Sequence, residues 1–134
     1  MNTRLIILAC TAAFFAPISA EEDSALAKQM EVVNDSYKAM GKEADSAKGA
    51  AQAREAQQAL IKSMSETPAL VTKMPDGPAK ALAAAQYRKM IGQSLVAMCE
   101  MEEAFLNGKT EEVAKIVKAL KVLKKAGHDK FMEE

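Results

Sequence analysis

The stretch ALAKQMEVVNDSYKAM, residues 25–40, carries apolar side chains at Leu26, Met30, Val33, Tyr37 and Met40. The steps alternate between four and three. On a helix of about 3.6 residues per turn that spacing draws one continuous stripe, the seam of a helix packed in a bundle. Asp23 or Ser24 is placed to cap its start, and Gly41 to stop it. The acidic run just ahead of it suits the positive end of a helix dipole.

Downstream the pattern returns three times. Ser46 is expected to cap a second helix reaching to about Ser65, with Ala53, Gln57, Leu60 and Met64 on its seam and many alanines permitting close approach. Glu66 to Gly77, which holds Pro68, Pro75 and Gly77, reads as one long loop. Pro78 suits the first turn of a third helix, where its missing N–H would have gone unpaired anyway. That helix extends to Leu106 with Tyr87, Ile91, Leu95, Met98, Met101 and Phe105 on one face, and Asn107-Gly108 ends it. Thr110 is expected to cap the last helix, whose inner face is Val113, Ile116, Val117, Leu120, Gly127 and Phe131. With aromatic residues at 4% and no tryptophan, no sheet is expected. The fold is expected to be all-α, and short links between the first two and last two helices favour an antiparallel up-down-up-down four-helix bundle, although the longer second loop leaves room for a crossover.

Residues 1–20 read as an export signal and not as part of the fold. Arg4 is a minimal positive region, Leu5 to Pro17 is apolar, and Ile18-Ser19-Ala20 precedes the acidic Glu21-Glu22-Asp23. An apolar run of about 13 residues is short of the roughly 20 that cross a bilayer, so stable membrane insertion is not expected. Cleavage after Ala20 leaves a single domain, residues 21–134, large enough to bury a core without disulfides. Removing Arg4 from 18 basic residues leaves 17 against 18 acidic ones, a balance with no electrostatic footprint for nucleic acid. Cys10 falls in the signal. Cys99, then the one remaining thiol, is expected to be a small buried hydrophobe.

Two residues stand out as possible carriers of chemistry. His128 is the only histidine, about 60° from Val113 and Phe131 on a helical wheel and so at the border of the buried stripe. A lone histidine there is more often structural than a ligand, and a seam methionine such as Met30 more often fills a core. Their placement opens a second reading. In an antiparallel bundle the start of the first helix and the end of the last share one end, with Met30 and His128 roughly 9 Å and 6 Å inside it. A planar macrocycle inserted between these helices meets a thioether on one side and an imidazole on the other, a set that completes six-coordinate haem iron. Covalent attachment needs C-x-x-C-H, whereas the residues ending at His128 are Lys124-Lys125-Ala126-Gly127-His128. Any haem is therefore held by ligation and packing. Gly127 either makes room for the ring or serves helix packing, and Lys124 either reaches a haem propionate or extends to solvent.

Leu26, Met30, Val33, Asn34-Asp35 and Tyr37, together with Ile91-Gly92-Gln93, Asn107-Gly108-Lys109 and the His128 segment, resemble the soluble cytochrome b562 family. The resemblance spans essentially the whole chain after the signal and sets the family's axial methionine at Met30 and axial histidine at His128. It departs from the family at Lys124, where an arginine is common, and at Tyr87, where a phenylalanine is common. It implies a four-helix bundle, one non-covalent haem b per chain and single-electron transfer in the periplasm. The redox partners there are unidentified, and the chain is expected to act as a monomer.

Two other functions are compatible with the residues alone. Met98, Cys99 and Met101, with Met90 nearby, form a candidate soft cluster for Cu(I). A cofactor-free helical adaptor or chaperone is the other. An enzyme is not expected and no catalytic residue is assigned. The chain has no H-E-x-x-H, no G-x-S-x-G, no second histidine to activate a nucleophile and no Gly-rich phosphate loop.

Overall fold

Ser24 opens the first helix as the sequence indicates: its hydroxyl accepts the backbone N–H of Ala27 at 3.0 Å. From there the computed structural model describes residues 24–132, and the expected signal segment, residues 1–20, lies outside them. The helices are α1 (Ala25–Met40), α2 (Ser46–Ser63), α3 (Ala69–Thr72), α4 (Pro78–Leu106) and α5 (Thr110–Phe131), with no strand among the described residues.

Local chemistry shifts two of the expected caps. Asp45, not Ser46, caps α2, its carboxylate accepting Lys48 N–H at 2.9 Å while Glu43 gathers the N–H groups of Ala44 and Asp45. A carboxylate at the positive helix end is favoured by charge as well as by hydrogen bonding. Thr110 is the first residue of α5 and Lys109 precedes it without a side-chain cap. Gly108 explains the shift. At φ +65° it turns the chain sharply, so that Gly108 N–H reaches Phe105 O and Lys109 N–H reaches Ala104 O, closing the end of α4 as α5 begins. The loop expected over Glu66–Gly77 contains α3, a single turn following Pro68, whose Val71 is 2% exposed and holds that turn against α4 and α5.

Burial follows the predicted stripes. Leu60, Met98 and Met101 are sealed in the core, with Met40, Tyr87, Ile91, Phe105, Val113, Ile116, Leu120 and Phe131 around them. On α2 the buried face is nearly all small: Gly49, Ala50, Ala53, Ala56 and Ala59. Small side chains bring neighbouring backbones close. The Phe105 ring fills the place that a side chain at Gly49 would take. Cys99 departs from expectation. It is exposed, because Met98 and Met101 take the core-facing positions of that turn.

Side-chain contacts give the direction of two neighbouring pairs. Arg54 meets Glu102, Gln57 meets Met98 and Ser63 meets Tyr87, so α2 and α4 run oppositely. Tyr87 also meets Phe131 edge-on at 5.6 Å, and Met90 lies next to Gly127, which sets α5 against α4 in the same opposed sense.

Two predictions follow from this packing. Gly49→Ala drives a methyl into the Phe105 ring, and the overpacking lowers stability by about 1–3 kcal/mol in urea unfolding. Gly41→Ala is the control, because a methyl there meets nothing closer than 3.7 Å and the backbone is already helical. It is expected to be neutral or stabilising by up to about 1 kcal/mol. Tyr87 donates its phenol proton to Ser63 O at 2.9 Å, and burial, reinforced by Glu66, pushes its pKa up to about 12. The fold thus prefers the neutral phenol. Its contribution is complete below pH 10, the ordinary phenol range, and is lost as pH rises toward 12. Unfolding curves of wild type and Tyr87→Phe, about 1 kcal/mol apart at pH 7, are expected to converge over that window.

Candidate haem site between the first and last helices

Close backbone packing runs from α1 to α2, from α2 to α4 and from α4 to α5. Helices α1 and α5 approach each other through side chains. Lys124 Nζ donates to Asn34 Oδ1 at 2.6 Å, and the Val117 side chain lies 4.0 Å from where a Cβ on Gly41 would stand. These two contacts set the register. From Asn34 to Gly41 is seven residues forward along α1, and from Lys124 to Val117 is seven residues back along α5, so the helices run oppositely in even step.

Four residues the other way, the same step leads from Asn34 to Met30 and from Lys124 to His128. Both helices rise about 1.5 Å per residue, so Met30 and His128 stand at one level. They also share an edge. At 100° per residue, Met30, Asn34 and Gly41 lie within about 40° of one another on α1, and Val117, Lys124 and His128 do so on α5. Asn34, Gly41, Val117 and Lys124 all take part in the α1–α5 contact, so these are the confronting edges of the two helices.

The surroundings of the two residues differ. Met30 is half-buried and packs on the core together with Leu26 and Val33. His128 is exposed, on the last turns of α5, between half-buried Gly127 and exposed Asp129. Apolar groups line the same end of the fold: half-buried Ala83 and Ala84, and the Tyr87–Phe131 ring pair. A thioether and an imidazole on facing edges, at one level and above apolar walls, make a donor set that fits haem iron.

Two neighbouring residues take roles that the sequence left open. Lys124 is exposed and ties α5 to α1 through Asn34, one turn from Met30 and His128. Opposed helices with a known pairing are enough to find that bond, but the pairing is not written in either helix. Gly127 faces α4: a Cβ there would sit 3.6 Å from Met90 Cε, an ordinary contact distance, so the α4–α5 packing does not require a glycine at this place. The candidate copper cluster does not converge. Met98 and Met101 are 1% and 0% exposed in the core, while Cys99 faces outward. Its thiol is held above the ordinary range by partial desolvation and by the carboxylates of Glu102, Glu103 and Glu100, which disfavours the thiolate a soft metal binds.

Among the described residues no helix is long and apolar enough to cross a membrane. No curated protein matches this chain. The family model for cytochrome b562 matches residues 25–132, which takes in every helix from α1 to α5. On that match over most of its length, the chain belongs to the cytochrome b562 family.

Proposed function

We propose that the protein is an electron carrier that holds one haem b, non-covalently, between Met30 and His128. Its four long helices then form an antiparallel up-down-up-down bundle, with α3 as a turn in the long connection. The observation that carries the reading is the common register of the Asn34–Lys124 and Gly41–Val117 contacts, continued four residues to Met30 and His128. Membership of the cytochrome b562 family supports the identity of the cofactor.

Haem b bound there supplies reversible one-electron exchange at its iron. The thioether of Met30 and an imidazole nitrogen of His128 would hold its iron. The soft sulfur of Met30 would raise the reduction potential relative to two nitrogen ligands. With Met30 and His128 both bound to it, the iron would offer substrate no place to coordinate, and the chain would act as a carrier and not as an enzyme. Leu26, Val33 and the Tyr87–Phe131 pair exclude water from that end. The Lys124–Asn34 hydrogen bond fixes the separation of the two helices one turn away.

We also assign residues 1–20 as a cleaved export signal and the periplasm as the site of action. Expressed full-length in a Gram-negative host, the protein is expected in the periplasmic fraction with Glu21 as its first residue, read by intact mass. Retention of residues 1–20 on the recovered protein overturns this assignment.

Haemin titration of residues 21–134, followed by visible spectroscopy, tests the site. One equivalent is expected to bind and to give sharp low-spin bands on reduction. His128→Ala is expected to abolish them and to lower haem affinity at least about tenfold, the scale seen when even an outer partner of a metal ligand is removed. Met30→Ala is expected to leave haem bound with a five-coordinate spectrum. Unchanged low-spin spectra in both variants, with helical circular dichroism intact, overturn the assignment.

A further inference from the structure

Lysine is unevenly spread over this chain. Lys115, Lys118, Lys121, Lys124 and Lys125 fall in α5 between Glu112 and Asp129, a stretch without a carboxylate, although the chain as a whole has 18 acidic and 18 basic residues. Lys118, Lys121, Lys125 and His128 recur at steps of three, four and three, and at 100° per residue they lie within about 80° of one another. All four are exposed. They form one stripe about 15 Å long, which runs beside the α1-facing edge of α5 and ends on the histidine. Val122 stands next to it, flanked by Lys118 one turn before and Lys125 one turn after. At 70% exposure it is the large hydrophobic side chain left most open to water among the described residues.

The helix gains nothing from this spacing. Lys118 and Lys121, and Lys121 and Lys125, are like charges one turn apart, and each pair repels along the helix surface. Lys125 is met by Asp129 at 2.7 Å, whereas Lys118 and Lys121 have no ion-pair partner among the described residues. Across the edge, the even register brings Lys38 of α1, paired with Asp35 at 3.8 Å, close to the level of Lys121, and Glu31 to that of Gly127. Against these carboxylates and Asp129 the face keeps an excess of positive charge. An apolar group rimmed by charge has the anatomy of a contact patch, here one that fits negative charge.

We propose that the lysine stripe Lys118–Lys121–Lys125 on α5 docks an acidic patch of a partner redox protein. The proposal rests on the haem reading for the kind of partner, since a carrier gives its electron to another cofactor; the contact itself needs no haem. Position favours such a partner, because a protein seated on the stripe stands beside His128. A membrane surface fits less well: an amphipathic helix enters one through a broad apolar face, and Val122 is the one large apolar side chain that α5 leaves exposed. Opposite charge speeds encounter, and a small contact that salt screens lets the partner leave again, as a carrier requires.

The probes are a short oligoglutamate peptide, phosphatidylglycerol vesicles and two inorganic oxidants, applied to residues 21–134. Followed by amide NMR at low salt, the peptide is expected to shift residues 115–125 and to be released as salt rises. Lys118→Glu with Lys121→Glu is expected to weaken it at least tenfold, while Lys48→Glu with Lys62→Glu, on exposed positions of α2, leaves it unchanged. With haem loaded and reduced, one electron passes from each ferrous haem to one oxidant. Transfer to hexacyanoferrate(III), an anion, is expected to slow severalfold in the α5 double variant and to slow with salt in wild type, whereas transfer to tris(phenanthroline)cobalt(III), a cation, speeds up in that variant. Peptide shifts spread evenly over the lysines of α1, α2 and α5, vesicle binding without peptide binding, or peptide affinity and electron transfer indifferent to the α5 reversal overturns the proposal. A wild type that takes up no haem overturns the carrier reading instead, and the peptide measurement, which needs none, still decides this surface.

Discussion

Small side chains along α2 govern how the rest of the chain is arranged. Gly49, Ala50, Ala53, Ala56 and Ala59 let both α1 and α4 settle close to one helix, and the Phe105 ring occupies the space over Gly49. Helix α5 is then held by α4, through the Tyr87–Phe131 rings and the Met90–Gly127 contact. The relation between α1 and α5 is thus a consequence of three other helix pairs.

Polar contacts refine this arrangement and do not drive it. Gln57 spans from α2 to Met98 O and to Glu102, and Arg54 reaches the same carboxylate. These hydrogen bonds, Arg54 first and Gln57 second, hold Glu102 below the usual carboxylate range. An exposed ion pair adds little stability, but one that bridges two helices fixes their axial register. Lys124 and Asn34 do the same between α1 and α5. In both places a long side chain crosses the boundary between helices whose apolar faces would tolerate sliding.

The two ends of the fold differ in a way that bears on function. Around Met98 and Met101 the core is closed, and soft sulfur there serves as filler. Around Met30 the covering thins: Leu26, Met30, Val33 and Tyr37 are all half-buried, and only Met40 and Ser36 of α1 are sealed. Met30, packed on the core without being sealed in it, differs in exposure from Met98 and Met101. Exposure and register separate the two, not residue type.

Helix content, the four apolar stripes and the boundaries near Gly41, Pro78 and Gly108 were legible in the sequence, because periodicity and capping are local properties of a few neighbouring residues. Met30 and His128 were legible as candidates by residue type and by distance from the helix ends. What the sequence could not decide were contacts between distant segments: the burial of Val71 that winds α3, the outward turn of Cys99, the facing of Gly127 toward Met90 and the bond from Lys124 to Asn34. The cap at Asp45 was local but ambiguous, since serine and aspartate stand side by side there. Each of the distant contacts depends on rotation about a helix axis and sliding along it. Hydrophobic stripes leave those two freedoms loosely set, and only the packing of all the helices together removes them.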